Sequence, residues 1–183
     1  YHDIGLKSVT AQPTTVYIGG SASIDVTIKN EGNFTETGTT FNVTVYADKN
    51  PYEYIYDPVG RLIRTNVVVG DEIVVGTKSV TSPLAIGAST TLTFTWNTAG
   101  AEENATYTIS ALVRGDSDTR DNLYIDATVY VKMRGDVNSD GKVNILDLFA
   151  LGNAYGSTGG PPPSPNWNAA CDFNGDNQVN NSD

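Results

Sequence analysis

Cysteine, methionine and histidine each occur once in the 183 residues, and Lys plus Arg number 11 against 21 Asp plus Glu. These scarcities exclude several classes of function. One Cys forms no internal disulfide, so cysteine usage does not assign a redox compartment. One His leaves a Ser-His-Asp device dependent on His2, close to the first residue, and no His/Cys cluster is spaced for zinc. A glycosidase needs two facing carboxylates, and Glu31, Glu36, Glu53, Glu72, Glu102 and Glu103 fall mostly in loops or turns. The expectation is a protein without catalysis. The formal charge is -10 and the few bases are scattered, so no basic stripe awaits nucleic acid or anionic lipid. No apolar run approaches the roughly 20 residues that span a bilayer, and no positive n-region precedes an apolar h-region. The sequence reads as a mature chain.

Gly, Thr, Val and Asn are plentiful, as in strand-rich extracellular modules, and the length suits one domain plus a small module. From Tyr1 to Met133 the pattern has period two. "SASIDVTIKN" puts Ala22, Ile24, Val26 and Ile28 on one face, and "TTFNVTVYAD" puts Phe41, Val43 and Val45 there. "TLTFTWNT" adds Leu92, Phe94 and Trp96, and "ATYTISALVR" adds Tyr107, Ile109, Ala111 and Val113. "NLYIDATVYVK" offers Leu123, Ile125, Ala127, Val129 and Val131. Turn chemistry ends each run: Gly19-Gly20, Glu31-Gly32-Asn33, Ser82-Pro83, Gly87, Gly100 and Gly115 to Asp118. About seven such strands without helical segments between them predict a mostly β fold, an immunoglobulin-like antiparallel sandwich. Residues 50–80, with "PYEYIYD" and "VVVGDEIVV", read as an extra inserted hairpin. Tyr52, Tyr54 and Tyr56 share one face of it, either as cross-strand packing or as a contact surface. Asn33, Asn42 and Asn104 head N-x-Thr sequons, usable for glycans if the chain is exported.

The stretches "SASIDVTIKNEGN", "LAIGASTTLTFTW" and "GDSDTRDN", in that order, resemble the CARDB family of cell-adhesion-related sandwiches on bacterial and archaeal surfaces. The resemblance covers most of residues 3 to 131. It implies the fold and a cell-surface or extracellular location, and it carries no catalytic residue.

The composition changes after Met133. "GDVNSDGKVNILDL" sets oxygen-bearing side chains at the spacing of a 12-residue calcium loop, whose ligands come from positions 1, 3, 5, 7, 9 and 12 with Gly at 6. With Asp136 at position 1, the ligands are Asn138, Asp140, the Lys142 carbonyl, Asn144 and Asp147, and Gly141 takes position 6. A second register starts 36 residues later with Asp172, Asn174, Asp176, the Gln178 carbonyl, Asn180 and Asp183; Asn177 stands at position 6. The expectation is two Ca2+ sites. Val143 and Val179, at position 8, are placed to bridge the two loops. "NILDLFALGNAYG" predicts a short helix with Ile145, Leu148, Phe149 and Leu151 on its apolar side, ending at Gly152 or Gly156, and "GGPPPSP" predicts a stiff spacer. Cys171 reads as a small packed residue. Asp116, Asp118 and Asp121 fit either turn stabilisation or a third cation site.

The stretches "DVNSDGKVNILDL" and "DFNGDNQVNNSD" resemble the dockerin modules, duplicated EF-hand-like calcium-loop-plus-helix units that bind cohesins. The division expected is a sandwich over 1–133 and a small α module over 134–183, its second repeat truncated. Dockerins read cohesin at loop positions 10 and 11, here Ile145 with Leu146 and Asn181 with Ser182. The functional expectation is a secreted or cell-surface, non-enzymatic adhesion protein with a calcium-organised tail for assembly or docking onto a protein partner. One alternative is a dockerin-type subunit on a cohesin scaffold. Another is a self-assembling filament subunit that donates the strand "HDIGLKSVT" to its neighbour.

Overall fold

The structure is a computed structural model that describes residues 1–37, 41–56, 58–59, 62–67, 73–80, 83–115, 118 and 120–183, with the backbone alone for 53–56 and 62–67. The chain divides into two compact units, Tyr1–Val131 and Lys132–Asp183.

The first unit is an antiparallel sandwich. One sheet has the order β1-β3-β8, from Ile4–Gln12, Ser21–Asn30 and Ser89–Asn97. The other has the order β2-β10-β9-β4-β7, from Thr15–Tyr17, Leu123–Lys132, Ala105–Arg114, Asn42–Asp48 and Ile73–Ser79. Strict alternation decides which side chains face the gap between the sheets. Ala22, Ile24, Val26 and Ile28 of β3 meet Val43 and Val45 of β4 and Tyr107, Ile109, Ala111 and Val113 of β9 in one buried cluster. Trp96 sets its ring edge against Tyr107, with centroids 5.1 Å apart. Fully burying a side chain of the Val, Ile or Phe class is worth about 1.5 to 3 kcal/mol, so this face dominates the stability of the unit.

Two bulges re-aim side chains that alternation alone places elsewhere. The shift between Ile125 and Ala127 breaks the phase of β10, so Tyr124 packs against the core in place of the expected Leu123 and Ile125, while Val129 and Val131 stay buried. The shift between Leu6 and Ser8 lets Ile4, Leu6, Val9 and Ala11 all face inward. The expected hairpin over 50–80 is smaller than its sequence suggests. It consists of β5 (Tyr52–Tyr56) paired with β6 (Leu62–Val67), whereas Ile73–Ser79 pairs with β4 in the main sheet. The Tyr54 and Tyr56 side chains, Asp116 and most of "VVVGDEIVV" lie outside the described residues. Ile4–Gln12, which contains most of the segment expected as a donated strand, pairs with β3 of its own sheet along nearly its whole length.

The second unit has one α-helix, α1 (Ile145–Ala154), and a small core of Val137, Ala154, Cys171 and Val179. Here too the periodic reading is corrected. α1 turns Asp147, Ala150, Leu151 and Ala154 inward and leaves Ile145, Leu148 and Phe149 exposed. Asp147 must face inward to reach the main-chain amides of its own loop, which rotates the apolar stripe outward. The helix runs through Gly152 and gives way at Tyr155 and Gly156, whose φ of 78° favours glycine. The expected stiff spacer is a folded loop. The Ser164 amide donates to the Thr158 carbonyl (2.9 Å), Asn166 Nδ2 donates to the Asn153 carbonyl (2.7 Å), and the Trp167 ring fills the space beside Gly159.

Candidate metal centre

The two acidic loops place the same atoms in the same roles. In the first, Asp136 Oδ1 accepts the Asp140 amide (3.0 Å) and Oδ2 the Gly141 amide (2.9 Å). Asp140 Oδ1 accepts the Lys142 amide (3.0 Å), and its Oδ2 accepts Asn138 Nδ2 (3.0 Å). Asp147 Oδ1 accepts the Val137 and Asn138 amides (2.8 and 3.1 Å), and Oδ2 the Asn144 amide (2.8 Å). In the second, Asp172 accepts the Gly175, Asp176 and Asn177 amides (2.8, 3.2 and 2.9 Å). Asp176 accepts the Gln178 amide (2.8 Å) and Asn174 Nδ2 (3.2 Å), and Asp183 accepts the Phe173, Asn174 and Asn180 amides (2.8, 3.3 and 2.9 Å).

The backbone repeats with the side chains. Position 6 is left-handed in both loops, at Gly141 (φ 81°) and Asn177 (φ 62°), and so is position 4, at Ser139 (φ 60°) and Gly175 (φ 76°). The demand at position 4 is invisible in a ligand pattern. Gly175 hints at it in the second loop, but Ser139 gives no local sign of it in the first.

Positions 9 and 12 carry a second duty. Asn144 Oδ1 accepts the Leu146 amide (2.8 Å) while Asp147 reaches back to the Asn144 amide, a capping box that starts α1. Asn180 and Asp183 repeat both bonds, with 2.8 Å from the Ser182 amide. Asp147 is held below the usual carboxylate range by the Asn144 amide first, against the opposing effect of burial, with the Asn138 and Val137 amides adding to the shift. Burial pushes the Cys171 thiol up, and the nearby Asp183 charge adds to it, as befits an inert packed sulfur.

The bridge expected between Val143 and Val179 does not form. The Val179 amide donates to the Ser157 carbonyl (3.0 Å), and the Val179 carbonyl accepts the Gly156 amide (2.8 Å). Val179 is buried while Val143 is exposed beside an apolar hollow of about 140 Å³ lined by Val137, Leu148, Leu151 and Phe173. Among the described residues no three His, Cys, Asp or Glu side chains converge as a ready-made metal cluster. The donor set in each loop is mixed, with carboxylate, amide and main-chain oxygens, and the carboxylates are already turned onto amides. Oδ1 of Asp147, Asp172 and Asp183 each accepts two N–H groups. Both oxygens of Asp136, Asp140 and Asp176, and Oδ2 of Asp147, Asp172 and Asp183, accept one each and retain a second lone pair. Every carboxylate therefore keeps an oxygen suited to a hard cation. In the sandwich, Asp118 pairs with Arg120, and Asp121 sits with Lys7 and Glu31; Asp116, the remaining member of the possible third site, is outside the described residues.

Comparison with known proteins now bears on both units. The family described as CARDB matches residues 3–123. The chain belongs to the CARDB family. A second family, the dockerin type I domain, matches residues 134–183 of this CARDB protein. Among solved structures, the CARDB sandwich is similar to the CARDB domain of a Pyrococcus furiosus protein solved in complex with di-metal ions, at 20% identity and a TM-score of 0.41, covering 72% of this chain and 89% of that one. It is also similar to part of a β-glucosidase from Erythrobacter marinus, at 16% identity and a TM-score of 0.46, covering 72% of this chain and 16% of the enzyme. A search of the curated proteins finds none that matches. The dockerin type I match supports calcium as the cation and a protein as the partner.

Proposed function

We propose that this is a secreted or cell-surface, non-enzymatic adhesion protein whose C-terminal unit binds two calcium ions and docks onto a protein partner of the cohesin kind. The observation that carries the reading is the duplicated carboxylate-to-amide network. Asp136, Asp140 and Asp147 in one loop, and Asp172, Asp176 and Asp183 in the other, hold three negative groups within 12 residues, with no Lys or Arg pairing described for them. A divalent cation relieves that repulsion, and Asn138, Lys142 and Asn144, with Asn174, Gln178 and Asn180, complete its oxygen shell. Position 12 supplies charge while position 9 often acts through water, so Asp147 and Asp183 are the dominant ligands. Bound calcium neutralises the loops and fixes the start of α1, which presents Ile145, Leu146 and Phe149 to solvent. Apolar side chains at this density on one short helix fit an apolar patch on the partner. CARDB and dockerin domains are typical of extracellular proteins, and no described helix is long and apolar enough to cross a membrane.

Calorimetric titration tests the reading. Two calcium ions are expected per chain, one after Asp147→Ala or Asp183→Ala, and two after the double change Ile145→Ser with Leu146→Ser. The same double variant should lose calcium-dependent binding to a cohesin that the parent protein binds. A chain that takes up no calcium, or a double variant that binds cohesin unchanged, would count against it.

A further inference from the structure

Among the described residues β8 is an edge strand: it pairs with β3 on one side and with no described strand on the other. Successive residues of an antiparallel strand direct their N–H and C=O groups to opposite sides. The Thr98 amide donates to the Gly20 carbonyl (2.9 Å), continuing the ladder toward β3 in phase with Leu92, Phe94 and Trp96. The main-chain groups of Thr91, Thr93 and Thr95 therefore point to the open edge. β7 runs close to β8, and its Lys78 side chain reaches that edge. Lys78, on β7 of the opposite sheet, donates its ammonium to the Thr93 carbonyl, with its Nζ 5.3 Å from the centroid of the Phe94 ring.

We propose that the β8 edge is a surface able to pair with β8 of a second copy of this chain, and that Lys78 holds it shut. β8 is nine residues long and carries no charged side chain and no proline, the devices that otherwise blunt an edge. Its outward side chains, Thr91, Thr93 and Thr95, sit opposite Thr27, Asp25 and Ser23, giving an even polar face without bulges. Two such strands are self-complementary about a twofold axis through Thr93, where each copy exchanges an amide and a carbonyl with the other. The Lys78 ammonium occupies the place of the incoming amide at the Thr93 carbonyl. In the paired state it would also meet its twin across the axis, and two desolvated like charges oppose the seam.

The test uses the full chain with Lys78→Met, which keeps an unbranched side chain of similar length and removes the charge, and Lys78→Arg as the charged control. In the parent protein the Thr91, Thr93 and Thr95 amides should exchange with solvent at least ten-fold faster than those of Leu92, Phe94 and Trp96. Lys78→Met should double the mass seen by light scattering and slow the three Thr amides at least ten-fold; Lys78→Arg should do neither. The proposal falls if Lys78→Met stays monomeric with fast Thr amides, if it associates while those amides stay fast, or if the parent protein already protects them. Should Lys78→Met fail to fold, Lys78→Gln carries the same expectations.

Discussion

The two units of this chain are held together by opposite means. In the sandwich, alternating Ile, Val and aromatic side chains from two sheets bury one another, and most polar groups stay on the outer faces. In the C-terminal unit the apolar core is Val137, Ala154, Cys171 and Val179, and the order comes from six aspartates that gather main-chain amides. A fold built on apolar area needs nothing from the medium except water. A fold built on clustered carboxylates depends on what neutralises them, so on the proposed reading a cation would switch it. The difference confines the proposed calcium dependence to the second unit and leaves the first to its apolar core.

The largest way to sharpen that comparison is to withdraw calcium. If the free ion exceeds the dissociation constant by about 100 to 1,000 times, each occupied site contributes about 3 to 4 kcal/mol to its unit. A chelator should therefore strip hydrogen-exchange protection from residues 132–183 and leave the amides of Ile24, Val26 and Ile28 protected. Equal loss across both units would show that they unfold as one.

The reverse experiment deletes apolar volume. Ile24 is fully buried in the middle of β3, and Ile24→Ala should cost the sandwich about 2 to 5 kcal/mol, read as a lowered denaturant midpoint. The calcium titration of the second unit should not move. A weakened calcium site in this variant would break the separation.

The smallest effect is acid sensitivity within the sandwich itself. Lys7 beside Glu31, with a further hydrogen bond from Asp121, holds the Glu31 carboxyl down from 4.5 to about 2. Because the folded value is the lower one, this stabilisation is present above about pH 4.5 and is lost as the pH falls from there through about 2. Asp121 acts in the opposite sense, since burial first and then Glu31 push its carboxyl up, so the net loss is smaller than Glu31 alone would give. Melting temperatures between pH 5 and 2 should fall less steeply in Lys7→Met than in the parent chain. Parallel slopes would remove Lys7 from the account.

Alternation was legible wherever strands run unbroken. β3, β8 and β9 bury the residues that period two selects, because a side chain on a flat strand has only two directions. It misled at β10, where one extra residue near Ile125 reverses the phase and puts Tyr124 inward. Nothing local to that stretch announces the bulge, which appears only when β10 is registered against β9. The acidic loops were legible for a different reason. A calcium loop is twelve consecutive residues, so its donor spacing survives in one dimension, and the second copy repeats the pattern.

The sequence by itself therefore determined the sandwich class, the inward faces of the regular strands and the two oxygen-rich registers, all of which depend on neighbours within a dozen residues. Only the tertiary structure decided what depends on distant partners. Ile4–Gln12 pairs with β3, a strand that lies about ten residues further along the chain. Val179 pairs with Gly156 and Ser157 and is buried, while its repeat partner Val143 stands in solvent. The two valines have the same local sequence rule and different surroundings. α1 exposes Ile145, Leu148 and Phe149 because Asp147 has to turn toward the amides of Val137 and Asn138, a constraint set by loop closure across ten residues and not by helical periodicity.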